Sequence, residues 1–544
     1  MWGALYALPP AVLVWAFCLL RVHVPVAEQI DLVPIINRTL SQRALDVPFL
    51  FAQWNESRIV TTKLVILMMI LLRGSWSPEV EQFCPLVFAA INVILLWRLG
   101  IRSMKDRAAG DAKLLQLLAC VLVFSLTQWF SWSDPITMHF HICSGCFLGA
   151  VLLLSGERLS GPRLLGAAAL CLMATYSYAN GLSSWFAVSP LIYLRRTNRR
   201  VWKVLSGIWS AVTGATLWCY FHHYDQPTYH PSIWIAAYHP ADALSFFFKF
   251  LAGPLCPTVP LLAFVVGEAL VVSIIFVLSE SSLRALAFSD AARPWLCVLL
   301  FVLASAAMTA VGRVGYGSDA GMHSRFLVTG LLGWIACAYL AYLCCPEQRK
   351  LLKVMLICIC LSQAYFDLVS WDSWRAQSAQ FKEGQACLET YQISSPACLS
   401  KLMYGIVDGE RIRFLAPTLE NLGTFKPFTL PGDVSYVSPS DFQYGSFDGM
   451  SGRQAFGWAL LNGRPASEII LTNAPGRHMI GHATAVLERE DIASWRGERA
   501  RYCGWNLELD NRMIGKRGQR SRIEAWIFDR ARHLMIQLPA SKAS

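Results

Sequence analysis

Apolar stretches long enough to cross a lipid bilayer dominate the first 369 residues of this chain. A helix needs about 20 mostly apolar residues to span the ~30 Å hydrocarbon core. The whole chain is 55% hydrophobic and only 15% charged, which is too apolar for a water-soluble surface. The sequence therefore predicts a polytopic α-helical membrane protein with about eleven transmembrane helices. They are predicted near residues 2–21, 83–99, 114–131, 139–155, 163–178, 182–194, 203–221, 256–278, 295–312, 325–345 and 351–369.

Charged residues are concentrated after residue 369, where 39 of the 83 Asp, Glu, Lys and Arg residues lie. We therefore predict a transmembrane domain over residues 1–369 and a water-exposed tail after it. Residues 370–424 are predicted to form a helical connector. Residues 425–544 contain short alternating runs separated by Gly, Pro and Asp, which predict a mostly-β, sandwich-like domain.

Basic residues predict the orientation of the chain. The connections at 98–113, 156–163, 195–203, 279–294 and 346–353 hold 17 Lys and Arg, while the alternate connections hold few. The positive-inside rule places the basic set in the cytoplasm, so the loop 22–82 and the tail are predicted to lie outside. The net charge of +11 is then a topology signal, and no nucleic-acid partner is predicted.

One further apolar run, at residues 59–73, is too short for a span. As a helix its 15 residues cover only about 22 Å. Counting it as a span would also reverse the side assigned to the basic connection at 98–113. We predict that it lies at the outer membrane interface.

The long loop 22–82 combines carboxylates with arginines. A positioned carboxylate can accept a proton from an attacking hydroxyl, and an arginine can hold a leaving phosphate through paired hydrogen bonds. A solvated loop surface explains the same residue types at least as well. The residues concerned are Glu28, Asp31, Asp46, Glu56, Arg38, Arg43 and Arg58.

Metal and nucleotide motifs are absent from the sequence of the predicted outer loops. There is no H-E-x-x-H, D-x-D or C-x-x-C pair in them, and no Walker A or G-x-G-x-x-G. We therefore predict no cofactor and no required metal. In the tail, Cys387 and Cys398 either form a short disulfide loop or remain free thiols.

Five short stretches of the sequence form a recognisable set of motifs. They are Glu28-Gln29-Ile30-Asp31, Asn55-Glu56-Ser57-Arg58-Ile59, Tyr178-Ala179-Asn180-Gly181-Leu182, His222-His223-Tyr224-Asp225 and Ser324-Arg325-Phe326. These stretches resemble motifs of the GT-C glycosyltransferases, the superfamily of protein mannosyltransferases and aminoarabinose transferases, and more closely those of a group of uncharacterised bacterial membrane proteins of that type. The resemblance departs from the family pattern at Ser57, where a His is expected, and in the spacing of the acidic pair Glu28 and Asp31.

The resemblance implies a bacterial inner-membrane enzyme with a periplasmic tail that transfers a sugar from a polyprenyl-phosphate donor, with inversion. The acceptor hydroxyl would belong to a glycan, a lipid or a protein. Asp31 is the implied general base and Glu28 the second candidate. Substrate-binding roles are predicted for Glu56, Arg58, Asn180, His222, His223, Arg313 and Arg325. The alternatives are a transporter or flippase of lipid-linked glycans, and a polymerase or ligase of such glycans.

Overall fold

The computed structural model describes residues 2–105, 109–156, 159–194, 199–403, 409–439, 441–473, 478–514 and 523–541. Parts of the predicted cytoplasmic connections, at 106–108, 157–158 and 195–198, lie outside these ranges. The chain divides into two units. The first comprises Met1–Leu19, Asp46–Met68 and Glu81–Trp374, and the second comprises Leu20–Leu45, Met69–Val80 and Arg375–Ser544. The predicted loop 22–82 therefore contributes to both units.

Helices form most of the first unit. In chain order the helices of the described residues are α1 Trp2–Leu20, α2 Val33–Gln42, α3 Val47–Phe51, α4 Val60–Arg73, α5 Pro78–Glu81, α6 Cys84–Ser103, α7 Ala109–Val123, α8 Trp129–Ser133, α9 Met138–Leu154, α10 Gly161–Thr175, α11 Leu182–Ala187, α12 Ser189–Tyr193, α13 Arg199–Phe221, α14 Ile235–Tyr238, α15 Pro240–Ala252, α16 Pro260–Ser279, α17 Ser281–Ala287, α18 Arg293–Arg313, α19 Ser324–Cys344, α20 Arg349–Glu389, α21 Pro396–Leu399, α22 Gly409–Asn421, α23 Glu490–Arg496 and α24 Asn511–Ile514.

Nine helical segments within the described ranges are long and apolar enough to cross a membrane. They coincide with nine of the eleven predicted spans. Several carry large apolar side chains on their exposed faces, such as Leu261 and Ile275 of α16, which is typical of helices surrounded by lipid. The chain therefore has the helices of a polytopic membrane protein, as the sequence predicts.

The other two predicted spans are shorter than expected. Residues 163–178 form α10, which has 15 residues, and residues 182–194 form the pair α11 and α12, of six and five residues. Pro190 explains the break, since it has no N–H to donate and its ring clashes with the carbonyl group four residues earlier. The predicted interfacial segment 59–73 forms α4, of 14 residues.

The second unit contains two β-sheets. One has five strands in the order β1-β9-β8-β5-β6, and the other joins β2, β3 and β4, with β7 paired to β3. Only the β1–β9 pair is parallel among the strand pairs of the described residues. The strands are β1 Ser435–Val437, β2 Gly445–Ser451, β3 Gln454–Leu461, β4 Arg464–Pro465, β5 Ile469–Asn473, β6 His478–Ala483, β7 Gly504–Glu508, β8 Ile523–Asp529 and β9 Leu534–Leu538.

Buried aromatic and aliphatic side chains form the core of this unit. On the five-stranded sheet, Ile470, Trp526, Phe528 and Met535 pack together with Phe428.

Elsewhere in the unit a disulfide joins Cys387, near the end of α20, to Cys398 in α21. The sequence left this bond undecided, and the structure contains it.

Candidate functional site

A cavity of about 520 Å³ lies within the first unit. Most of its lining is aromatic or aliphatic. Among the described residues that line it, Glu56 is the single carboxylate and Arg313 the single guanidinium. The other polar or aromatic residues of the lining are Tyr178, Asn180, Tyr220, Phe221, Tyr224, Gln226, His230 and Thr309.

A tight turn brings Glu56 into the cavity wall. Trp54 and Ser57 exchange two backbone hydrogen bonds, of 2.7 and 2.9 Å, across the turn. Asn55 takes up a left-handed conformation there, with φ of 52°, which Asn tolerates better than most residues. Tyr220 and Tyr224 donate hydroxyl hydrogen bonds of 3.3 Å to the backbone carbonyl of Glu56. These four hydrogen bonds fix the backbone of the turn, and they thereby fix the position from which the Glu56 side chain enters the cavity.

Glu56 forms a close ion pair with Arg313, the last residue of α18. The guanidinium Nη2 lies 2.5 Å from Glu56 Oε1, and His230 Nδ1 lies 3.6 Å from Glu56 Oε2. Burial raises the pKa of Glu56, but Arg313, a backbone hydrogen bond and, to the smallest degree, His230 outweigh it, so the pKa falls below its usual value. Burial and the Arg313 charge lower the pKa of His230. At neutral pH the cavity therefore contains an ionised carboxylate beside a neutral imidazole.

Asn180 enters the cavity from a short 3-10 helix, Ala179–Gly181. Its Nδ2 donates a 3.2 Å hydrogen bond to Thr309 Oγ1 of α18. Gly181 follows it, and any Cβ at that position would collide with the backbone of Ala174 and Thr175 in α10. The close approach of this 3-10 helix to α10 therefore requires glycine, and it fixes the position of Asn180.

Arg58 donates hydrogen bonds to backbone carbonyl groups and does not line the cavity. Its guanidinium donates hydrogen bonds to the carbonyl oxygens of Phe51, Tyr220, His222 and His223, at 2.8 to 3.2 Å. His222 and His223 are outside the lining as well, and their carbonyl groups accept from Arg58. Arg58 thus ties the turn of Glu56 to the end of α13.

Arg325 is the second residue of α19 and also lies outside the cavity lining. Its guanidinium stands over the rings of Phe130 and Phe326, with distances of 5.3 and 5.4 Å to the ring centroids. Its charge makes a small contribution to lowering the pKa of His230. The effect of Arg325 on the cavity is therefore electrostatic, through its charge near His230.

Asp31 and Glu28 belong to the second unit, in the 3-10 helix Ala27–Leu32. Asp31 forms an ion pair with Arg411 of α22. Burial raises the pKa of Asp31 more than Arg411 lowers it, so the net shift is upward. Of the nine residues selected from the sequence, the structure brings Glu56, Asn180 and Arg313 together around one cavity.

Most of the residues that line the cavity were not selected from the sequence. Tyr178 and Tyr224 lie in stretches that carry the family resemblance, but ring-rich residues near span ends are also common in interfacial belts. His230 has no motif around it, and its contact with Glu56 joins residues 174 positions apart. Sequence spacing offers no signal for such a pairing.

Metal ligands converge elsewhere. Within the described ranges, three side chains able to bind one metal ion lie together only at Glu389, Glu468 and His482, in the second unit. At the cavity the corresponding groups are a single Glu and a single His. Comparison with family models, curated proteins and solved structures found no significant match to this chain.

Proposed function

We propose that this protein is a membrane glycosyltransferase that moves a sugar from a polyprenyl-phosphate donor to an acceptor hydroxyl. The observation that carries the proposal is the cavity itself, in which one ionised carboxylate is paired with one buried guanidinium inside an aromatic wall. Aromatic faces stack on sugar rings and on isoprenoid chains. The carboxylate and the guanidinium match the two polar steps of the transfer, which are removal of the acceptor proton and departure of the phosphate.

The reaction requires a proton acceptor and a stabiliser of the leaving phosphate. The acceptor oxygen forms a bond to the anomeric carbon while the bond from that carbon to the phosphate oxygen breaks. The hydroxyl proton passes to a carboxylate, and the polyprenyl phosphate leaves with the electron pair. Attack opposite the leaving group inverts the anomeric centre. In the cavity Glu56 is the candidate base and Arg313 the candidate phosphate ligand.

Asp31, the base implied by the family resemblance, is the competing candidate. Its raised pKa makes it the stronger base of the two, whereas the lowered pKa of Glu56 favours the ionised form. Glu28 is the second candidate on the same 3-10 helix. Substitution of each carboxylate separately decides between them.

The experiment compares isosteric variants of these three carboxylates in a transfer assay with a polyprenyl-phosphate sugar. Glu56→Gln is expected to lower the transfer rate by about 10²–10⁴-fold, the usual contribution of a general base. Asp31→Asn tests the competing assignment. Glu79→Gln is the matched control, because Glu79 also contacts an arginine and a histidine, Arg21 at 2.6 Å and His23 at 3.0 Å, but does not line the cavity.

The outcomes separate the assignments. Loss in Glu56→Gln alone supports the cavity, and loss in Asp31→Asn or Glu28→Gln alone moves the base to the second unit. Normal transfer by Glu56→Gln, Asp31→Asn and Glu28→Gln alike, or failure of the wild type with every polyprenyl-phosphate sugar tried, contradicts the proposal. The lipid-linked sugar that accumulates when the gene is deleted identifies the donor to use.

The proposed location is the bacterial inner membrane with the tail in the periplasm. The disulfide between Cys387 and Cys398 supports an oxidising compartment for the tail. We also propose that the two sheets of the tail pack as a sandwich.

The proposed orientation is the same with eleven spans or with nine. The two counts differ by two segments, α10 and the pair α11 and α12, so the tail stays on the same side. An alkaline phosphatase fusion at Gly110 should be inactive, and an active one would reverse the orientation.

A further inference from the structure

A histidine of the second unit stands between two glutamates. His482 lies in β6, Glu468 immediately precedes β5, and Glu389 is the last residue of α20. His482 Nε2 lies 2.7 Å from Glu468 Oε2, and Nδ1 lies 3.7 Å from Glu389 Oε2. The imidazole is only 2% exposed, and the two carboxylates are 14% and 19% exposed. Two acidic groups are therefore held against one buried ring.

Both nitrogens of this ring face hydrogen-bond acceptors. Nδ1 lies 3.3 Å from the carbonyl oxygen of Ala386, and Nε2 lies 2.7 Å from Glu468 Oε2. A neutral imidazole has only one N–H, so in either tautomer one nitrogen presents a lone pair to an acceptor, and a cation at that nitrogen would remove the conflict. That cation is either a second ring proton or a metal ion.

The charges and the donor atoms favour a metal ion. A neutral imidazole that donates through one nitrogen to a backbone carbonyl is the usual state of a metal-ligating histidine. A divalent cation balances Glu389 and Glu468, while Arg530 already pairs with the other Glu468 oxygen at 2.8 Å. We propose that Glu389, Glu468 and His482 bind one Zn²⁺ ion, with water completing the coordination.

The distances are compatible with this assignment. The three ligand atoms lie within 4.8 Å of one another, and ligand atoms in a tetrahedral zinc site stand about 3.4 Å apart. The widest separation must therefore shorten by up to about 1.4 Å, and the 2.7 Å contact must lengthen by about 0.7 Å, to form the site. A nitrogen and oxygen ligand set binds Zn²⁺ more tightly than Mn²⁺, and Mg²⁺ prefers oxygen ligands alone. In the sequence the three residues are 79 and 14 positions apart, without a recognisable motif.

The experiment measures zinc on the full-length protein purified in detergent. The protein is stripped with a chelator, loaded with ZnSO₄, desalted and analysed for metal by mass spectrometry. The variants are Glu468→Gln, Glu389→Gln and His482→Gln. His533→Gln is the matched control, because His533 also pairs with a carboxylate, Asp433 at 3.0 Å, but is 47% exposed and, within the described ranges, forms no ion pair with a second carboxylate. The control also accounts for zinc bound by the chain's 17 cysteines.

We expect about one more Zn²⁺ per chain in the wild type and in His533→Gln than in His482→Gln. Each glutamate variant should bind this ion at least tenfold more weakly while eluting as a monodisperse species in size-exclusion chromatography. Equal zinc content in wild type and in a well-folded Glu468→Gln variant would overturn the proposal. So would a wild type that takes up Mg²⁺ as readily as Zn²⁺. The test is independent of transfer activity.

Discussion

Glutamate, histidine and arginine meet in both units, in opposite arrangements. In the first unit Arg313 is only 13% exposed and bonds to Glu56 at 2.5 Å, while His230 stands 3.6 Å away. In the second unit His482 is buried and bonds to Glu468 at 2.7 Å, while Arg530 is 65% exposed. The two groups differ in whether the arginine is shielded from water, which it is in the first unit and is not in the second. A buried guanidinium keeps the carboxylate ionised beside an open cavity, whereas a buried imidazole with two carboxylates resembles a metal-binding site.

The largest expected effect tests the role of the buried arginine. Arg313→Gln removes the group proposed to stabilise the leaving phosphate, and loss of one such donor lowers a rate by about 10²–10³-fold. Arg530→Gln removes the corresponding arginine of the second unit and should leave transfer unchanged. Initial transfer rates measure both. Equal rates in the two variants would show that the difference in burial has no functional meaning.

The second prediction concerns stability in the tail. His482→Gln leaves the partly buried Glu468 and Glu389 without the imidazole between them, and a lost hydrogen bond to a charged group costs about 1.5–3 kcal/mol. The melting temperature of the tail in the metal-free protein should fall clearly. It is measured as the temperature at which the tail becomes sensitive to limited proteolysis. A melting temperature equal to that of His533→Gln would mean that the cluster contributes nothing to folding.

The third prediction concerns acid pH. The pKa of Glu56 is lowered in the folded protein, so its contribution to stability is present above the ordinary glutamate pKa and is lost as pH falls through the lowered value. In Arg313→Gln burial, which raises the pKa, becomes the dominant influence on Glu56, so protonation no longer removes a favourable ion pair. The stability difference between wild type and variant should therefore be largest near neutral pH and shrink as pH falls. Unfolding profiles between pH 3 and 7, about the range in which carboxyl groups titrate, measure this difference. A difference that stays constant across this range would contradict the assigned cause.

The smallest effect is expected at the exposed arginine. The Arg530–Glu468 pair measures 2.8 Å, but the arginine side chain is largely in water. Exposed ion pairs contribute about 0–1 kcal/mol, so Arg530→Gln should hardly change the melting temperature of the metal-free tail. A loss as large as that in His482→Gln would place the arginine, and not the histidine, at the centre of the cluster.

The long apolar runs made most of the membrane helices predictable. Lipid leaves few alternatives to a continuous helix, so α16 and α19 follow directly from their composition. The region of α10 to α12 was less predictable, because a short apolar run does not reveal how a break such as the one before Pro190 is accommodated. The count of eleven spans remains a prediction.

The site was predictable only in its parts. Residue types and family resemblance selected Glu56, Asn180 and Arg313, but nothing in the sequence shows that an arginine 257 positions away reaches Glu56. The pairing of Asp31 with Arg411 was equally invisible. Such contacts depend on how distant helices pack, and one sequence without its fold does not contain that information in readable form.

Gly181 bears on how sequence conservation in related chains should be interpreted. Its lack of a side chain is required by the backbone of α10, whatever the cavity binds. Relatives that share this architecture should retain glycine there even when their substrates differ, so its invariance would indicate descent from a common fold. Variation at the neighbouring Asn180 would instead follow the ligand. Two adjacent positions would thus record different evolutionary pressures.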